Sequence, residues 1–163
     1  MLRIVSLADL HLSPTHGFFW ENWRIAREFT NALDRAAVII NGDLCINGPD
    51  SDEEVEFAAR ALQHISGQVL ALPGNHDVGD EPPGQDHNQL ITVDRLDRWK
   101  RFVGADRWAF DAGHWRLIGV NAQLFGSALH AESDQALWLE GQLESAGGRP
   151  CALFLHKIGR AHV

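Results

Sequence analysis

The chain has 163 residues, 45% of them hydrophobic and 22% charged, with a formal net charge of −8. That length suits one domain with a full core, and that composition excludes a disordered chain. No apolar run approaches the ~20 residues of a membrane span, and there is no basic stripe of the kind that grips duplex phosphates.

Residues 1–8 contain one Arg and a short apolar run stopped by Asp9. This is too short and too acidic for a secretory leader, so it reads as a first strand, and the protein is expected to be cytoplasmic. Residues 3–8, 36–40 and 68–72 are continuous apolar runs, as strands buried on both faces are. Between them the patterns predict helices over 23–33 and 51–65, the second with Val55, Ala58, Leu62 and Ile65 on one stripe. The acidic run 50–56 reads as the solvated start of that helix, and Gly67 as its C-cap glycine. Strand and helix alternate, which predicts a parallel sheet covered by helices.

After Pro73 the texture changes. Residues 78–88 are rich in Gly, Pro and Asp and read as a long mobile loop. A helix is expected over 92–103, then strands over 108–110 and 116–120 joined by a turn at 111–115. A helix over 132–146, burying Ala136, Leu139, Leu143 and Ala146, leads to a last strand at 152–155. Trp20, Trp23 and Trp138 are expected to pack helices on the sheet. Cys45 and Cys151 lie far apart without a CxxC and read as reduced, packed thiols. No repeat or linker interrupts the chain, which reads as one folding unit.

The chemistry lies where the strands stop. The first ends in Asp9-Leu10-His11, the second in Asn41-Gly42-Asp43, the third in Gly74-Asn75-His76-Asp77, and the last in Leu155-His156. Ligand sites of open α/β sheets gather at the carboxyl ends of strands, so these residues are delivered towards one place. Oxygen and imidazole donors without thiolate suit divalent Mn, Fe or Zn. Asp9 and His11, two apart, would share a face on an extended chain, and the two oxygens of Asp43 could bridge two ions. Gly42 and Gly74 fit sharp turns close to a metal or phosphate. The remaining histidines, His16, His64, His87, His114 and His130, have no matching spacing and read as surface or loop residues. Asp86 and His87 follow the third motif and could touch substrate, and Asn121, at a strand end, has no assigned role.

Asp-x-His, Gly-Asp, Gly-Asn-His-Asp and a later strand-end His, in this order, resemble the motif set of the calcineurin-like metallophosphoesterases. The resemblance runs from Arg3 to His156, and residues 74–77 are its most specific part. It implies an α/β/β/α sandwich, a dinuclear centre of two divalent ions, and hydrolysis of a phosphomonoester or phosphodiester by a metal-bound hydroxide. Asp9 and His11 would bind the first ion, Asp43 would bridge both, and Asn75 and His156 would bind the second. His76 would act on the transition state or leaving oxygen without binding metal, and Asp77 would orient it. The implied partner is a small phosphorylated substrate, possible relatives being the cyclic-nucleotide phosphodiesterases of the superfamily.

The family's further Gly-His-x-His motif does not follow His156. Gly159-Arg160-Ala161-His162 resembles it only superficially, and His162 is not counted as a ligand. Residues 157–163 read as a non-native tail, since Lys157 is one of two Lys against twelve Arg. The domain is therefore read as residues 1–156, incomplete at its C-terminus, with weakened metal binding, little or no activity, and exposed apolar faces. A nuclease of the same superfamily is a second reading, disfavoured by the acidic charge. A non-catalytic scaffold on the same fold is a third.

Overall fold

A computed structural model describes residues 2–82 and 89–157. Strands β1 (Ile4–Leu7), β2 (Ala37–Asn41) and β3 (Val69–Leu72) pair in parallel in the order β1-β2-β3. Leu7 lies opposite Ile40, and Asn41 opposite Leu72, so the three carboxyl ends share one edge. The crossovers are helices α1 (Trp20–Ala32) and α2 (Asp52–Leu62). Ser51 caps α2 by accepting from the Glu54 amide, and three acidic residues in its first turn favour the positive end of the helix dipole.

The middle strand shows why its run is continuous rather than alternating. Val38 and Ile40 pack against Trp23 of α1 and Val55 and Ala58 of α2, while Ile39 faces a second sheet. That sheet holds β4 (Trp108–Ala112), β5 (Trp115–Gly119) and β6 (Cys151–Phe154). β4 and β5 form an antiparallel hairpin and β6 joins β5 in parallel. Trp108, Ala112 and Leu117 meet Ile39 and Leu72 between the sheets. Helices α3 (Asn75–Val78) and α4 (Val93–Phe102) extend the first helical layer, and α5 (His130–Ser145) is tied to β5 by a hydrogen bond from Arg116 to Gln142. Two sheets face to face between helices are the α/β/β/α sandwich that the motif order implies.

Several local expectations change. α1 begins at Trp20, and Trp20 packs edge-on against Phe57 of α2, 5.2 Å between centroids. α2 ends at Leu62, where the amides of Gln63, His64 and Ile65 turn to carbonyls three residues back. The hairpin is tighter than expected, with Ala112 paired to Trp115. The acidic run opens α2 and stays largely solvated, with Asp50, Asp52 and Glu53 exposed. It is also paired: Asp50 with Arg95, and Asp52 with Arg98 and Arg101 of α4, while buried Glu54 accepts from the Ser13 hydroxyl.

The face that α5 buries also differs. Ala146 is buried, but Leu143 is 50% exposed, and the buried residue within the helix is Gln135. Polar bonds set this orientation, since the Gln135 amide pairs reciprocally with the backbone of Asn121. Cys45 is buried as expected while Cys151 is exposed, and both are free thiols. Trp23 is buried, and Trp138 lies under the Arg107 guanidinium at 5.6 Å. Asp80 donates to the Gln89 carbonyl and accepts from the Ile91 amide, closing the base of the loop expected over 78–88. Asp86, His87, Gly159, Arg160 and His162 lie outside the described residues. Among the described residues no helix is long and apolar enough to cross a membrane.

Candidate metal centre

The segments after β1 and β2 run side by side. The amides of Asp9, His11 and Leu12 donate to the carbonyls of Gly42, Asp43 and Leu44 at 3.1, 3.0 and 2.8 Å. Within them Asp9, His11 and Asp43 have φ of 55°, 44° and 52°, the left-handed region that residues with a Cβ avoid. Such strain costs about 1–3 kcal/mol per residue and gathers at functional sites. The Asp9–His11 segment is therefore not extended, and the two side chains do not share a face as they would on a strand.

Donor atoms converge in two groups. His11, Asp43 and His76 offer ligand atoms within 4.8 Å of one another, and so do Asp9, Asp43 and His156. Asp43, buried, belongs to both. Asn75 opens α3 directly before His76. Of the residues singled out by sequence, Asp9, His11, Asp43, His76 and His156 thus stand together, and Asn75 begins the helix that brings in His76.

Each histidine is oriented in the same way. The Nδ1–H of His11 points at the Cys45 carbonyl at 3.3 Å, that of His76 at Ile46 at 2.7 Å, and that of His156 at Asn41 at 2.8 Å. A carbonyl only accepts, so each bond fixes the proton on Nδ1 and leaves Nε2 for a ligand. The Nε2 atoms of His11 and His156 lie 3.9 and 3.4 Å from Asp43 Oδ2. Nε2 of His156 is buried and makes no hydrogen bond. A buried orphan nitrogen beside a carboxylate, in a set made only of N and O donors, fits a divalent cation.

The two glycines are required by space. Gly42 has φ +85°, and a Cβ there would overlap the His156 ring. A Cβ on Gly74 would overlap Asp43 Oδ1 and reach within 2.8 Å of His156 Cδ2. Asp77 sits beneath, fully buried, accepting from the amides of Leu44, Cys45 and Gly74 at 3.1, 2.8 and 2.8 Å. It is expected from the sequence to orient His76; its carboxylate holds these three amides, while the His76 ring is held by the Ile46 carbonyl.

Charge follows this geometry. Burial opposes charge on Asp43, and His156 with the His76 amide overcomes it, holding its pKa below the usual carboxylate value. Burial likewise opposes the His156 imidazolium, yet the Asp43 carboxylate raises its pKa to about 9. Burial pushes Asp77 up to about 6 against its three amide donors. Burial also raises the Cys45 thiol well above its ordinary value, so no thiolate enters the set.

Sequence reasoning passed over two neighbours. The Asn41 amide donates to the Leu155 carbonyl at 3.0 Å, and the Gln123 amide to the His156 carbonyl at 3.0 Å. Asn41 carries a signal, its place at a strand end before Gly42. Gln123 carries none, because only the fold brings it to His156.

Residues 2–158 match the family described as calcineurin-like phosphoesterase, and the chain belongs to that family. It is 30% identical over 125 residues to the glycerophosphodiester phosphodiesterase GpdQ of Enterobacter lignolyticus (strain SCF1), a match covering 74% of this chain and 41% of that relative. The chain thus spans about two fifths of the length of that curated relative. Among solved structures it resembles a purple acid phosphatase, PPD1, from yellow lupin (Lupinus luteus), at TM-score 0.55 and 15% identity over 88% of this chain and 28% of that one. It equally resembles GAP50, described as the anchor in the inner membrane complex of Plasmodium, at TM-score 0.55 and 14% identity over 96% of this chain and 55% of that one. These two likenesses establish the fold alone.

Proposed function

We propose that the chain carries the core of a metal-dependent phosphoester hydrolase with a dinuclear centre built around Asp43. The observation that supports this best is the shared carboxylate, one Asp common to two converging donor groups whose histidines all turn Nε2 inward. Fold alone would not support it, since an anchor protein has a similar one.

By motif order Asp9 and His11 are assigned to one ion and Asn75 and His156 to the other, with Asp43 between them. The donor atoms themselves gather His11 with His76 and Asp9 with His156 about Asp43. Two divalent cations, Mn, Fe or Zn, held there would supply charge neutralisation on the phosphoryl oxygens and water of lowered pKa. His76, its Nδ1–H anchored on the Ile46 carbonyl, would act on the phosphoryl group through Nε2, and in its imidazolium form would give the Nε2 proton to the leaving oxygen and return to the neutral ring. The relative's name favours a phosphodiester, and the net charge of −8 favours a small soluble substrate over duplex nucleic acid.

The test is expression of the source gene continued beyond codon 157, with bis(p-nitrophenyl) phosphate as substrate. Hydrolysis that needs added Mn(II) and falls about 10²–10⁴-fold in His76→Ala, with the metal still bound, is expected. Metal-loaded protein that leaves mono- and diesters intact would favour a scaffold.

A further inference from the structure

Behind the donor groups lies a set of three buried amides and one carboxylate to which the chemistry so far gives no work. Asn121, Gln123, Gln135 and Asp106 are each at most 3% exposed. They are joined in series. Gln135 of α5 pairs with the Asn121 backbone, the Asn121 side chain accepts from the Gln123 backbone N–H at 3.1 Å and donates to Asp106 at 3.4 Å, and the Gln123 side chain donates to the His156 carbonyl. On the other side of the same residue, the Asn41 side chain donates to the Leu155 carbonyl while its own carbonyl receives the His156 Nδ1–H.

We infer that Gln123 and Asn41 are positioning residues that clamp the backbone on both sides of His156 and so aim its Nε2 into the donor group with Asp9 and Asp43. β6 ends at Phe154, two residues short of His156, so no strand ladder fixes the histidine itself. Without the two amide donors its backbone would be free to turn about the strand end, and the ring would lose its bond to Asn41. Buried amides are costly where apolar side chains would fill the same space, and a positioning duty accounts for their presence. The inference rests on the metal-centre reading for its consequence, but not for the clamp itself.

The experiment compares the wild-type chain with Gln123→Met, Asn41→Leu and, as a control of lowered stability away from the site, Leu96→Ala. Two readouts are taken: long-range ¹H–¹⁵N spectra of the metal-free histidines, and Co(II) titration followed by visible absorption. In the metal-free wild type, His156 is expected to show a hydrogen-bonded, slowly exchanging Nδ1–H. Both clamp variants should lose that signal and bind Co(II) about 10- to 100-fold more weakly with altered absorption bands, the usual penalty for removing a group that orients a ligand. Leu96→Ala should change neither. If one clamp variant fails to fold, the other decides. Unchanged His156 signals and unchanged Co(II) affinity in a folded clamp variant would overturn the inference. Loss of the Nδ1–H in a chain whose wild type binds no Co(II) would uphold the clamp and sink the metal centre.

Discussion

Asp77 binds no ion in this scheme, yet its loss should cost the fold most among the site residues. Its carboxylate receives the amides of Leu44, Cys45 and Gly74, which join two of the loops that present donors. Asp77→Ala strands these amides in the interior at about 1–3 kcal/mol each, so urea unfolding should show a loss of about 3 kcal/mol or more. A loss below about 1 kcal/mol would mean that the loops hold themselves. His156 makes a different prediction, in pH. Its folded pKa of about 9 lies above the ordinary value of 6.5, so the metal-free pair with Asp43 stabilises fully below pH 6.5 and fades as pH rises to about 9. A metal must displace the same proton from Nε2. Apparent affinity should therefore climb by up to about tenfold per pH unit towards pH 9, with proton release visible as buffer-dependent binding heat. Affinity flat across that range would place His156 outside the ligand set.

At the scale of elements, the loops after the strands matter more than the strands. Gly42→Ala demands a strained φ and overlaps the His156 ring. It should weaken Co(II) binding at least tenfold while far-ultraviolet circular dichroism still reports the sandwich, and unchanged affinity would show that His156 sits elsewhere. The sequence made the strand ends legible because function concentrates residues of unusual type there: Asp9, His11, Asp43 and His76 stand out against apolar runs. Strand and helix order was legible for the same reason, since Ile39 and its neighbours repeat no polar face. What escaped was set by tertiary contact. The left-handed turns at Asp9 and His11 have only a weak local signature, since Asp and His enter that region more readily than most residues with a Cβ but usually do not. Gln135 and Gln123 stand in no motif, and only the fold pairs them with Asn121 and His156. The face of α5 was misread because an apolar pattern does not reveal that polar bonds choose the orientation.

Across the whole molecule, large apolar side chains remain exposed, Phe18 at 80% and Phe29 at 65% among them. Leu153 on β6 is 54% exposed, and Leu137 on α5 is 70% exposed. Strand edges and apolar side chains left open in this way invite association. The 163-residue chain should sediment as concentration-dependent oligomers and bind an apolar dye, and Leu153→Lys with Leu137→Glu should reduce both. Monodisperse monomer at high concentration would argue against a sticky face.

The shared carboxylate is tested most directly by Mn(II) titration of the wild-type chain and Asp43→Asn, followed by electron paramagnetic resonance. Two weakly bound, spin-coupled ions per chain, both lost in Asp43→Asn, are expected from ions about 3.5–4 Å apart. A single uncoupled ion, or binding that survives Asp43→Asn, would contradict a centre built around Asp43.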